Sequence, residues 1–149
     1  MAQEVLSPEE ISKLIPDKIK GYYQPVDAQS KLMRLGTIRY SLVEKKFKSN
    51  DGRQEIRFLL FDYKEAPIMF NQATRKWSAY EPVESDSLIL QSVVRENCTG
   101  WETHQVTRHT SQIMMGICER FFLLVDARDL PREALRDIMA QIRFESYPK

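Results

Sequence analysis

Two histidines, two cysteines and several paired carboxylates are the side chains of this 149-residue chain whose types and spacing bear on chemistry. His104 and His109 stand five apart, so on one strand they point to opposite faces and cannot share a metal ion there. Glu102 and His104 share a face, with Arg108 further along, but zinc needs three convergent ligands. The pattern suits an exposed polar strand face better than a metal site, and no metal or other cofactor is expected. Cys98 and Cys118 form neither CxxC nor a repeated pattern, so both are expected as free thiols, with Cys118 packed in a strand. Nucleophilic catalysis needs a Ser or Cys beside a base and an orienting third group. Neither G-x-S-x-G nor a Gly-rich phosphate loop occurs, and only five glycines are present to build one. Glu9/Glu10 and Glu84/Asp86 fall at helix starts or in loops, where solvation accounts for them. No catalytic residue is assigned, and the chain is expected not to be an enzyme.

Binding is the other use such side chains have. Tyr22, Tyr23, Trp77, Tyr80 and Trp101 fall in or beside loops, where Tyr and Trp bury a large area while keeping a polar tip. They are the candidate partner contacts; the competing reading is that they seal the rim of the core. "KKFK" at 45–48, with Arg53 and Arg57, is the one local basic concentration. Lysines guarding an edge strand against sheet-to-sheet pairing explain it better than a binding patch does.

These residues must be held by elements that the hydrophobic pattern delimits. In "LSPEEISKLI" (6–15), Ser7 can cap a helix, Pro8 fits its first turn, Glu10 completes a capping box and Leu6 can staple onto Ile11; Pro16 then stops it. "IPDKIKGYYQPVDAQSK" reads as a loop or irregular strand. From Thr37 to Lys48 a strand starts with Ile38, Tyr40 and Leu42 on one parity and continues with Val43 and Phe47 on the other, which predicts a bulge. "SNDG" (49–52) turns it into "EIRFLLFDY", and a four-residue loop sets Phe47 opposite Ile56, Val43 opposite Leu60 and Lys48 opposite Glu55. "APIMFNQATRKW" places Ala66, Met69, Phe70, Ala73 and Trp77 on one helical face, with Pro67 in the first turn.

"SLILQSVVR" (87–95) is a strand, and "NCTG" (97–100) turns the chain into "WETHQVTRHT", a strand with a solvated face, returned by a tight turn near Thr110 and Ser111. Phe121, Leu123 and Val125 lie opposite Phe122 and Leu124, so this strand is expected at the centre of the sheet, covered on both sides. Asp126 to Asp129 then turn the chain, Asp129 can cap, Pro131 sits in the first turn, and Leu135, Ile138, Met139 and Ile142 form the stripe of a C-terminal helix.

At this length the chain supports one well-buried core and is too short for two, so a single domain over 1–149 is expected. Lys+Arg number 22 against 21 Asp+Glu, interleaved along the chain, so nothing steers a polyanion and nucleic acid is not expected as a partner. The longest apolar runs fall far short of the ~20 residues that cross a bilayer, so no transmembrane segment is expected. "MAQEVLSPEE" has neither a basic n-region nor an apolar h-region. The chain as given therefore reads as cytoplasmic, or as periplasmic or envelope-borne if a targeting segment has been removed and Ala2-Gln3 lies near a mature terminus.

The expected fold is α+β: one antiparallel or mixed sheet of five to six strands with three helices, the C-terminal one packed on the sheet. The order of elements, with "IPDKIKGYYQ", "RYSLVEKKFK", "FLLFDYKEAP" and "ERFFLLVDARDLPREALRDIMAQIRF", resembles a group of small uncharacterised bacterial α+β proteins of Mog/PsbP-like shape. Many of those look like exported or envelope-associated proteins and serve as accessory or binding proteins. The resemblance implies a fold more than a function. The expected role is that of a non-catalytic accessory, adaptor or assembly protein acting on a protein partner or as a homo-oligomer. The alternative is a binder of a small molecule or lipid-like ligand, and an enzyme is the least favoured.

Overall fold

A computed structural model gives the structure of the protein and describes residues 4–149. Ala2 and Gln3, with the mature terminus expected there, lie outside the described residues. In chain order the elements are α1 (Pro8–Ser12), β1 (Tyr22–Tyr23), β2 (Gln29–Leu35), β3 (Ile38–Ser49), β4 (Glu55–Asp62), α2 (Pro67–Thr74), β5 (Val83–Glu84), β6 (Leu88–Arg95), β7 (Cys98–Gln105), β8 (Thr110–Ile117), β9 (Phe121–Arg128) and α3 (Arg132–Met139). Two 3-10 segments, Arg75–Ala79 and Phe144–Ser146, follow α2 and α3.

The expected α+β fold with five to six strands is corrected. Among the described residues nine strands form one antiparallel sheet in the order β1-β3-β4-β9-β8-β7-β6-β5, with β2 also paired to β3, and the helices are short. The three strands beyond the expected six are β1, β2 and β5: β1 and the start of β2 come from the segment read as a loop or irregular strand, and β5 ends at Glu84, read as loop. β2 pairs on one side only, and a two-residue turn at Gly36–Thr37 joins it to β3 (Leu35 opposite Ile38), with Gly36 at φ +64°. A glycine at the first central position is what such a tight turn requires.

The sheet is built from two meanders, β2-β3-β4 and β5 through β9, joined where β4 pairs with β9. β9 is flanked by β4 and β8 and carries Phe121, Leu123 and Val125, all fully buried, with Phe122 and Leu124 half-buried on the reverse. That matches the central position its unbroken apolar run predicts. It extends to Arg128, past the turn expected at 126–129, and the N-cap of α3 is Pro131 rather than Asp129.

The predicted β3–β4 register is the one observed: Phe47 faces Ile56, Val43 faces Leu60 and Lys48 faces Glu55. No bulge interrupts it, because the pairing runs without a step from Ser41–Asp62 to Lys48–Glu55. The buried parity of β3 is Ser41, Val43, Lys45, Phe47 and Ser49, so polar residues at inward positions disguised a regular alternation as a shift.

The inner face of the sheet is covered by both chain ends. Ile11, Ile15 and Ile19 come from the N-terminal segment, and Leu135, Ile138, Met139, Ile142, Phe144 and Tyr147 from the C-terminal one; together with the strands they make one core cluster. α1 opens with the predicted capping box: Ser7 Oγ accepts from Glu10 N and Glu10 Oε1 accepts from Ser7 N. It ends after Ser12, before Pro16 would force it to. Tyr147 donates its hydroxyl to Leu14 O at 3.0 Å and so ties the two end segments to each other.

On the outer face, α2 and its 3-10 extension carry the chain from β4 toward the far edge at β5. Phe70 lies against Gly116 of β8, where a Cβ would come within 3.0 Å of the ring. Trp77 stacks on Phe122 of β9 at 6.1 Å between centroids, and Tyr80 meets Trp101 of β7 edge-on at 5.4 Å. Among the described residues no helix is long and apolar enough to cross a membrane.

Candidate functional site

The five aromatic candidates do not form one surface. Tyr22 and Tyr23 lie on β1, at one edge of the sheet; the Tyr22 hydroxyl donates to Gln54 Oε1 and its ring packs on the core, while Tyr23 is 46 % exposed. Trp77, Tyr80 and Trp101 gather on the outer face, with β3, β4, β9 and β8 lying between β1 and β7. At ~4.8 Å per strand the two groups are on the order of 20 Å apart.

The basic concentration divides as well. β3 is paired with β4 along Ser41–Lys48, but on its other side β2 reaches only Glu44 and β1 begins at Lys48, so residues 45–47 have no strand neighbour there. Lys45 is buried, and its Nζ donates to Ser12 O, Ile15 O and Asp17 Oδ1, each at 2.7 Å. It thereby satisfies Ile15 O, just past the end of α1, and adds a second donor to Ser12 O, which also takes a 3.4 Å bond from Ile15 N. Arg57 bridges Glu44 (2.6 Å) and Asp126 (3.5 Å) across three strands on the outer face.

The residues weighed for a metal sit in a different environment from the one expected. Glu102 and His104 are 7 % and 4 % exposed, not on a solvated face. His104 Nδ1 lies 2.7 Å from Ser111 Oγ, and its Nε2 lies 3.2 Å from Glu102 Oε1, in ion-pair range but without an aligned hydrogen bond. Gln91 Nε2 donates to the same carboxylate oxygen, and Arg136 of α3 stands 3.8 Å from it. Arg108 and His109 are in the exposed β7–β8 turn, which spans 106–109 rather than lying near Thr110 and Ser111. The carboxyl of Glu102 is held below its ordinary range, first by the His104 imidazole and then by Gln91 and Arg136, against the opposing effect of burial. A hydroxyl, an imidazole and a carboxylate in contact are the parts of a nucleophile–base–acid relay. Here α3 closes over them, and the space beside the imidazole is about 20 Å³, enough for one water. Among the described residues no three His, Cys, Asp or Glu side chains converge as a metal would require.

A larger opening lies where three distant pieces of chain meet. A cleft of about 590 Å³ runs between Phe70 and Trp77, the β6–β7 turn and the β8–β9 turn. The first turn is Glu96–Asn97, one step earlier than the expected "NCTG", with Arg95 opposite Cys98 and Asn97 at φ 60°. The second is Cys118 to Arg120, so Cys118 is not packed in a strand; Cys118 and Glu119 both adopt left-handed backbone at φ 56° and 53°. For residues other than glycine that conformation costs about 1–2 kcal/mol each. Both cysteines are free and both line the cleft. Burial, and then the neighbouring Cys118, push the Cys98 thiol up to about 11. The indole Nε1 of Trp77 is buried with no hydrogen-bond partner among the described residues. Trp77 is the one cleft residue singled out from sequence as a contact; Phe70, Arg95 and Gly116 carry no signal, because nothing local marks turns that meet only in the folded sheet.

No family model matches the chain, and no curated protein matches it. Among solved structures, the crystal structure of the extracellular domain of PknH from Mycobacterium tuberculosis is similar, with a TM-score of 0.56 over 93 % of this chain and 95 % of that one. At 9 % sequence identity the likeness is one of fold alone.

Proposed function

We propose that this chain is a non-catalytic recognition module that works through contacts with a protein partner on the outer face of its sheet. The observation that carries the reading is the edge-on pair of Tyr80 and Trp101, half-buried on that face at 5.4 Å. Rigid rings already packed against each other lose little freedom on binding, which is why Tyr and Trp dominate contact energies. The closed environment of Ser111, His104 and Glu102 supports a role without catalysis. The same fold forms an extracellular domain in PknH, and a fold supports a role only through the site it carries.

The test compares capture from native extract by the wild-type chain, by Tyr80→Ala/Trp101→Ala and by Tyr22→Ala/Tyr23→Ala, identified by mass spectrometry. Capture of a defined protein should be lost with the first pair and kept with the second. Capture unchanged by replacing all four rings removes the proposed surface. A second reading, a small-ligand binder, is favoured by the 590 Å³ cleft.

A further inference from the structure

We infer that the cleft between α2 and the two hairpin turns is a binding site for a small amphipathic carboxylate, with an aromatic or short acyl body. The inference deepens the small-ligand reading and stands apart from the Tyr80–Trp101 pair, so each can fail without the other.

Three features point to that chemistry. The first is the wall: Phe70 and Trp77 present ring surface, and Gly116 leaves room beneath Phe70, the composition of a site that takes an apolar body. The second is the buried Trp77 Nε1, a donor whose cost in isolation is removed by an acceptor. The third is the rim. Arg95 and Lys149 both line the cleft, and neither forms an ion pair among the described residues. Glu119 is the one carboxylate among the lining side chains. A guanidinium matches a carboxylate through two parallel N–H donors, and a carboxylate has lone pairs to spare for an indole N–H as well.

The turn that forms one wall has the same bearing. Cys118 and Glu119 keep left-handed backbone without glycine, and Cys118 N donates to Asn97 O at 2.8 Å, so the two turns are clamped together as one rim. Cys118 is partly exposed while Cys98 is buried, so alkylation in the native protein reports on Cys118 and hence on occupancy of the cleft.

The experiment titrates the full chain with 2-naphthoate and, separately, with its neutral isostere 2-naphthamide, by calorimetry and by the rate of Cys118 alkylation. The carboxylate should bind about tenfold more tightly or better, the difference expected of a charge-assisted hydrogen bond, and should slow alkylation. Arg95→Gln should erase the preference, with the unfolding midpoint measured beside it because the guanidinium also lies 5.7 Å from the centroid of the buried Phe144 ring. Trp77→Phe, which keeps the ring and removes the N–H, should weaken 2-naphthoate several-fold at an unchanged unfolding midpoint. Equal affinity for the two probes, binding indifferent to both substitutions, or no binding of either probe overturns the assignment.

Discussion

Arg120 and Asp62 form a buried bidentate ion pair, with Nε to Oδ1 and Nη2 to Oδ2 both at 2.8 Å. The same guanidinium donates to Glu4 O and Lys149 O, and Asp62 accepts from the backbone N–H groups of Leu6 and Lys64. One pair thus fastens the last residue of β4, the β8–β9 turn and both described ends of the chain. Two charges taken out of water are held there by two parallel bonds and by backbone groups that saturate the remaining valences.

Asp62→Asn should therefore cost about 3–5 kcal/mol, because the buried guanidinium loses its carboxylate. Arg120→Met should cost a similar amount, and the double substitution less than the sum, since each single change already removes the shared interaction. Urea unfolding gives the cycle, and amide exchange at Leu6 gives the local consequence. Strict additivity of the two substitutions would show that the pair is not the unit described.

Lys45 is a second anchor with different arithmetic. Its Nζ has two backbone carbonyls and the largely exposed Asp17 as partners. Lys45→Met keeps the stem and its packing but leaves Ile15 O without a donor and Ser12 O with only the 3.4 Å bond from Ile15 N, at about 1–3 kcal/mol for a group that water does not reach. The loss should appear as a lower denaturant midpoint with faster exchange in residues 8–15, and not as a change in the β3–β4 register.

These anchors also mark what the sequence could and could not say. The strands of β4 and β9 were legible because their apolar residues run nearly unbroken, and the β3–β4 register because one loop length admits one pairing. β2 was not, since "QSKLMRL" is half polar and gains its partner only when β3 folds back on it. The inward Lys45 and Ser41 mimic a bulge because a polar residue on the buried parity looks, in one dimension, like a change of face. Glu102 and His104 look solvated for the same reason: Gln91, Ser111 and Arg136, the groups that make their burial affordable, come from two other strands and a helix. The outer-face cleft is built from residues 70 to 149, and no local pattern joins them.

Glu102 gives a prediction in pH. Its folded carboxyl lies below the ordinary range, His104 being the first cause, so the unfolded chain takes up that proton first on acidification. The stabilisation is complete above the unfolded value near ~4.3 and is lost as pH falls through the folded one. Wild-type protein and Glu102→Gln, compared by urea unfolding from pH 7 to pH 3, should differ most at neutral pH and converge on the acid side. A gap that stays constant or widens toward acid contradicts the assignment.

The stripe on α3 decides whether that helix is core or contact surface. Leu135, Ile138 and Met139 face the sheet, with Ile138 only 6 % exposed, and Ile142 stays buried although the helix has ended before it. If α3 is seated as it lies, Ile138→Ala removes buried methylenes and leaves a cavity that the sheet cannot close over, at about 2–5 kcal/mol. The denaturant midpoint should fall at unchanged slope, since the area exposed on unfolding is nearly the same. An apolar stripe held open for a partner would behave otherwise: the midpoint would stay, and association would weaken instead. The inner faces of β7, β8 and β9 settle which to expect. Ile113, Met115 and Leu123 are all buried there, and Leu135, Arg136 and Met139 of α3 line one narrow gap with Glu102, His104, Ile113 and Met115. A loss of stability with self-association unchanged in sedimentation is the expected pair of results.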